Sequence, residues 1–271
     1  MSDPGLVEEA SPASRTIRGA PPEAVWRWLE KGWQDFRRAP IIGLAYGFGA
    51  VVLSYAVCFG LVLGGKPELL LPATGGFFIL APMLVSGLYD VSRRLEAGEP
   101  VSLATALLAW RSSGQIFLMG GVLLFLHIVW IRLALLLSAL FLTGTNPTLD
   151  GVLPLLFGSG RGLALLVVGT IMGGGLALLS FYISAVSLPL IVDRDVSVPD
   201  ALACSINTVN ENIYAMGLWA ALIVVFTGIG IATAFIGLAI VVPVLAHATW
   251  HAYRDLCGRS PDASQRGVGH G

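Results

Sequence analysis

The chain has 271 residues, of which 55% are hydrophobic and 12% charged, with a mean hydropathy of +0.79. A soluble domain carries about 25% charged residues, so this composition excludes a water-soluble globule. The net charge of −1 leaves no whole-molecule field to gather nucleic acid or acidic partners. The expected fold is all-α, a polytopic membrane protein.

Residues 1–20 hold few large apolar side chains and read as a disordered tail. A signal peptide begins its apolar run almost at once, whereas charge and proline fill the first 40 residues here. Within them, "PPEAVWRWLEKGWQDFRRAP" (21–40) predicts an amphipathic helix lying in the membrane interface. Its apolar face holds Val25, Trp26, Leu29, Trp33 and Phe36, opposite Arg27, Lys31, Gln34 and Arg38.

A helix needs about 20 apolar residues to cross the hydrocarbon core. That length places spans at 41–63, 69–90, 116–142, 162–191, 214–232 and 235–254. Between them, residues 102–114 repeat the interfacial theme with Ala104, Leu107, Leu108 and Trp110. Residues 198–212 do so again, with Ser197 as N-cap and Asp200 three residues later. The last two spans could instead be one kinked helix, since only "GIGIATAFIG" (228–237) offers a turn.

Charge decides for six, because cytoplasmic loops concentrate Lys and Arg. With the N-terminus inside, that side collects Arg15, Arg18, Arg27, Lys31, Arg37, Arg38, Arg93, Arg94, Arg111, Arg194, Arg254, Arg259 and Arg266. The outer side holds only Lys66 and Arg161, and both tips, including the disordered tail expected over 257–271, fall in the cytoplasm.

The chain also resembles itself. "VSLATALLAWRSSGQIFLMG" (101–120) aligns without a gap to "VPDALACSINTVNENIYAMG" (198–217), and "PMLVSGLYDVSRRL" (82–95) to "PVLAHATWHAYRDL" (243–256). Both matches fall on the same structural boundaries, so three units are expected, each an interfacial helix followed by a transmembrane hairpin. Shared membrane composition is the competing explanation.

The even spans carry Pro82, Pro189 and Pro243, freeing the carbonyls of Phe78, Ala185 and Ala239. In lipid such carbonyls need neighbours, which marks these spans as packed inside the bundle. Each then ends in a polar cluster: Tyr89, Asp90, Ser92, Arg93 and Arg94; Asp193, Arg194 and Asp195; Trp250, His251, Tyr253, Arg254 and Asp255. Packed about a common axis, they would converge on one cytoplasmic site able to bind an anion or exchange a proton. The plainer reading is that charged helix ends pair locally at the membrane surface.

His247 and His251 share a helix face, but "HATWH" lacks the glutamate of a zinc protease motif and no third ligand neighbours it. Hydrogen bonding is expected there, with no metal and no cofactor. Cys58, Cys204 and Cys257 are far apart in sequence and read as ordinary thiols. Arg132 stands inside "HIVWIRLALLL" (127–137), with no acid at the centre of any span. Snorkelling toward the outer headgroups, with Asp150 or Glu68 as partners, explains it economically; a pore role is the alternative. Gly43 with Gly47 and Gly169 with Gly173 form small-residue pairs that permit close helix approach, and "GGG" (173–175) could also unwind its span.

"GLYDVSRRLEAGEPVS" (87–102), "ISAVSLPLIVDRDVSVPDALACSI" (183–206) and "GLAIVVPVLAHATWHAYRDL" (237–256) resemble the bacterial membrane family catalogued as domain of unknown function 2189, over roughly residues 22 to 256. The resemblance implies a bacterial inner-membrane address and no established activity. No nucleophile–base constellation is visible, so an enzyme is not expected. Two readings remain: a non-catalytic component that presents its cytoplasmic cluster to another membrane or cytoplasmic protein or to the lipid bilayer, and a small-solute or ion permeation protein.

Overall fold

The computed structural model describes residues 17–111, 113–144 and 148–257, and among them every regular element is helical. In chain order the α-helices are α1 (Ala24–Arg38), α2 (Pro40–Leu63), α3 (Leu70–Leu84), α4 (Ser86–Ala97), α5 (Leu103–Leu108) and α6 (Gly114–Phe141). They continue with α7 (Leu149–Gly158), α8 (Gly160–Ser184), α9 (Ser187–Arg194), α10 (Val198–Glu211), α11 (Ile213–Ala232) and α12 (Leu238–Cys257).

Five stretches are long and apolar enough to cross a membrane: α2, Pro67–Ala97, α6, Gly160–Arg194 and α11. α12 equals α11 in length but stays outside that set, because His247, His251, Arg254 and Asp255 load its second half. Residues 214–254 nevertheless do not form one kinked helix. Residues 233–237 make a turn in which Ala234 and Phe235 adopt left-handed backbone, φ 53° and 67°. That conformation is costly for side chains with a Cβ, and it is held by Tyr55, whose hydroxyl donates to the Ala234 carbonyl at 2.8 Å. α12 then runs back along α11. Leu238 lies against Gly230, while at the far end Trp219 meets Trp28, which itself donates to Asp255.

Two of the proline-bearing segments break rather than bend. The first parts at Val85, three residues after Pro82, and the second at 185–186, just before Pro189. Ser205 of α10 closes the second gap: its hydroxyl donates to the Tyr182 carbonyl at 2.7 Å and accepts the Val186 N–H at 3.2 Å. Pro243 lies in an unbroken helix, and the Ala239 carbonyl it frees rests against Gly47 so closely that a Cβ there would overlap it. Gly43 beside it accommodates the Phe36 ring. Of the other expected pair, Gly173 receives Trp130, whereas Gly169 has open space beside it. "GGG" remains helical inside α8.

α1, α2, α11 and α12 pack as one group, and α3, α6, α7 and α8 as another. The groups are joined chiefly at one end, where α4, α9 and α12 meet. Each of those three receives a further helix: α5 lies on α4, α10 on α9, and α1 on α12. The closest approaches recur at aligned positions. A Cβ at Gly87 of α4 would overlap the Ala106 carbonyl of α5, and one at Gly32 of α1 would stand 2.6 Å from the Ala248 nitrogen of α12. Positions 87 and 248 correspond in the internal alignment.

Several expectations need correction. The tail does not extend to residue 20: the Arg18 N–H reaches the Leu256 carbonyl at 3.0 Å, and the Ala20 N–H reaches Asn212 Oδ1 at 2.8 Å. Cys257, expected in the other tail, is buried in α12. Residues 1–16 and 258–271 and the side chain of Trp110 lie outside the described residues. The connection between the third and fourth spans holds a further helix, α7. Finally, α1 buries Val25, Trp28, Gly32, Asp35 and Phe36, leaving Trp26 and Trp33 exposed. Docking on α12 selects that face; the two exposed tryptophans remain suited to headgroup depth.

Candidate functional site

On α1 the buried positions recur at helical spacing, and one of them is acidic. Asp35 is 3% exposed, set among Trp28, Gly32 and Phe36. A buried carboxylate needs donors, and two other helices provide them. Ser92 of α4 donates its hydroxyl to Asp35 Oδ2 at 2.8 Å, and His251 of α12 lies 2.8 Å from the same oxygen through Nε2. One turn earlier on α12, His247 Nδ1 stands 2.8 Å from Ser92 Oγ.

Donor accounting assigns the protons. A carboxylate only accepts, so Ser92 gives its hydrogen to Asp35 and takes one from His247 Nδ1–H. His247 Nε2 is then a bare lone pair, buried without a partner. His251 donates through Nε2 to Asp35, and its Nδ1 faces Glu96 at 3.4 Å. Burial pushes the Asp35 carboxyl up. The hydrogen bond and charge of His251, the Ser92 hydroxyl and the charge of His247 outweigh it and hold the group below its ordinary value of 3.8.

The chain continues outward. Arg254 Nε pairs with Glu96 at 3.1 Å, and its Nη1 lies 3.6 Å from Asp193 of α9. Asp193 accepts the Tyr253 hydroxyl at 2.6 Å and Arg194 Nε at 3.1 Å, and Arg194 Nη2 donates to the Cys257 carbonyl at 3.1 Å. α1, α4, α9 and α12 are thus joined by one polar clamp, in which His247, Ser92, Asp35, His251, Glu96, Arg254 and Asp193 follow one another.

The remaining candidates lie elsewhere. Asp90 accepts Arg93 at 2.7 Å and Arg94 at 2.7 Å within α4, with Glu99 beyond, the local pairing that the plainer reading describes. Asp195 caps α9 in left-handed backbone and accepts the Ser113 hydroxyl. Trp250 is fully buried against Tyr253, with Arg254 over its ring at 6.0 Å. Tyr89 is buried and lines a cavity. Arg132 is exposed on α6 and, among the described residues, forms no hydrogen bond or ion pair; Glu68 pairs with Lys66 instead. Among the described residues no cluster of three or more His, Cys, Asp or Glu is arranged to hold a metal ion.

Asp35 and Glu96 escaped the sequence reading. The available signal was Asp35 itself, a lone acid falling in helical register with Val25, Trp28 and Phe36.

A second feature lies between the two helix groups. It is a chamber of about 910 Å³, bounded by α3, α6 and α8 on one side and α11 and α12 on the other. Pro82, Trp130, Trp219 and Thr249 are among its walls, and its lining is overwhelmingly apolar.

No curated protein and no solved structure matches this chain. The resemblance expected over residues 22 to 256 is met over a shorter stretch, which holds Ser92, Glu96 and Asp193 but not Asp35, His247 or His251. Over residues 70–193 the chain matches the family described as predicted integral membrane protein (DUF2189).

Proposed function

We propose that this protein is a non-catalytic component of the bacterial inner membrane, an assembly partner or scaffold that crosses six times with both tips in the cytoplasm. The return of α12 along α11 supports the sixth crossing, and the excess of arginine at the clamp end supports the orientation. The recurring dock of a short helix on each of α4, α9 and α12 supports three hairpin units arranged about a shared axis.

The observation that carries the reading is the mutual pairing inside the clamp, whose unpaired His247 Nε2 is buried from solvent. Its acids and bases consume one another, and Ser92 and His247 have no exposed surface, so the cluster ties helices together rather than offering a reactive group. What it leaves outward is the second face of α1, with Trp26 56% and Trp33 44% exposed. The test is a photo-crosslinking residue at Trp26 or Leu107 in native membranes. A discrete protein adduct at either position is expected, and adducts to lipid alone would refute an assembly role.

The chamber beside Pro82 favours permeation as the second reading. Saturable flux in liposomes, abolished by Arg132→Ala or His251→Ala, would establish it. The apolar chamber walls and the exposed Arg132 predict no flux of ions or polar solutes.

A further inference from the structure

The chamber is open in one direction that matters. Leu178 of α8 and Val224 and Val225 of α11 line it and are about half exposed. They form a rim halfway along two membrane-crossing helices. No extensive contact joins α8 to α11, so the gap between them faces the hydrocarbon of the bilayer. Wall residues on α8 run from Leu165 to Ser184. At 1.5 Å per residue that is about 28 Å, close to the ~30 Å thickness of the hydrocarbon core. An apolar slot of that height excludes water, and acyl chains are the apolar material at its door.

One end of the slot is different. Glu68 lines it at the end opposite the clamp, with its side chain 11% exposed. Lys66 Nζ stands 3.8 Å from Glu68 Oε1, but Oε2 is buried and has no hydrogen-bond partner. A carboxylate oxygen in that state calls for a cationic donor. Lys66 itself is 59% exposed, so the side of its ammonium turned from Glu68 is open to an anion. A carboxylate wanting an ammonium and an ammonium open to a phosphate, at the head of an apolar slot deep enough for the acyl chains of one leaflet, together describe one kind of occupant.

We propose that the chamber between α3, α8 and α11 holds a single bilayer phospholipid with a primary-amine headgroup, its chains along the α8 wall and its headgroup at Glu68 and Lys66. The ammonium donates to Glu68 Oε2, and the phosphate pairs with Lys66. The lipid completes the packing between two helix groups that otherwise meet chiefly at the clamp end. It is therefore a structural ligand, and the inference stands whether or not the protein is a scaffold.

The test uses two glycines of the chamber wall. Gly169 and Gly174 both line it, and a Cβ at either would meet nothing within 4 Å. Gly174→Phe and Gly169→Phe therefore fill the slot without displacing backbone. The full-length protein is equilibrated in mild detergent with equal amounts of phosphatidylethanolamine, phosphatidylglycerol and phosphatidylcholine, then weighed intact by native mass spectrometry. Circular dichroism checks that each variant remains helical. The wild type is expected to carry one phospholipid, enriched in the ethanolamine form. Either glycine variant should lower its retention about tenfold, the effect of roughly 1.4 kcal/mol of lost affinity. Glu68→Gln should keep a bound lipid and lose the headgroup preference. Undiminished retention in both glycine variants would overturn the proposal, as would a wild type without lipid or without ethanolamine enrichment. A wild-type dimer that Gly174→Phe dissociates would also overturn it, by assigning the slot to a second copy of the chain.

Discussion

Asp35 and His251, 216 residues apart in sequence, meet at 2.8 Å inside a layer where both side chains are less than a tenth exposed. The contact joins the first helix to the last. It also explains why α1 turns a face bearing an acid inward: Trp28 and Phe36 provide the apolar burial, and Asp35 fixes the register against α12. A polar group that sets register rather than adding net stability is the best-attested use of a buried pair.

Removing one member should therefore be costly, because the other charge stays buried. Asp35→Ala is expected to destabilise the protein by about 3–5 kcal/mol, and His251→Ala by a similar amount. The double variant should cost far less than the sum of the two. Thermal unfolding in a fixed detergent reads all three, and simple additivity would show that the two residues do not act as a pair.

The same contact fixes a direction with pH. The Asp35 carboxyl titrates lower in the folded chain than in the unfolded one. Its contribution is thus complete above the ordinary carboxylate value and is lost as pH falls through the folded one. Melting temperature should drop as pH falls below the ordinary carboxylate range of about 4, and Asp35→Asn should flatten that drop. An identical acid profile in wild type and variant would remove Asp35 from the account.

Much of the architecture was legible because hydrocarbon imposes a coarse rule: long apolar runs become helices, and small residues mark where helices touch. Gly43 and Gly47 beside α12 are a direct instance. The clamp was only half legible. Its bases and Asp193 sit at helix ends, where charge is conspicuous, but Asp35 lies inside an amphipathic stretch where an acid reads as solvated. Its partners Ser92 and His251 are 57 and 216 residues away, and no local spacing connects them. α7 was hidden because ten residues are too few to register as a crossing.

Cys204 and Cys257 show the same blindness to distance. They are 53 residues apart, and their Sγ atoms lie 3.7 Å apart, with the Thr208 hydroxyl 3.0 Å from Cys257 Sγ. A disulfide needs the sulfurs at about 2.05 Å, a small approach for two side chains. Treatment with diamide, which takes up two electrons and two protons, should join them within one chain. Peptide mapping should find the Cys204–Cys257 link and leave Cys58 as a thiol; a Cys58 adduct in its place would refute the approach of Cys204 to Cys257.

Two glycines of one helix provide an internal control for close packing. Gly47 faces the Ala239 carbonyl with no room for a Cβ, whereas Gly49 has nothing within 4 Å. Gly47→Ala must push α2 from α12 and should cost about 1–3 kcal/mol. Gly49→Ala should be neutral or slightly stabilising, since alanine is the better helix former by about 1 kcal/mol. Equal effects at the two positions would mean that α2 and α12 are not in contact at Ala239.

The threading can be tested at the points where the two ends of the bundle are most clearly separated. Asp255 accepts from Arg27 at 3.1 Å and from Trp28 at 2.9 Å, which ties the end of α12 to the helix that leads into α2. Residues 23 and 211 belong to that end, whereas Lys66 and Ile236 lie in turns at the other. Single cysteines at Lys66 and Ile236 should react with a membrane-impermeant maleimide applied to intact spheroplasts. Cysteines at Glu23 and Glu211 should react only after the membrane is opened. Labelling of all four in intact cells would mean that α2 and α11 do not cross, and labelling of only Glu23 and Glu211 would invert the orientation. Either result would remove the clamp from the cytoplasmic face proposed for it, because Asp35, Glu96 and Arg254 cannot change sides without α1 and α12.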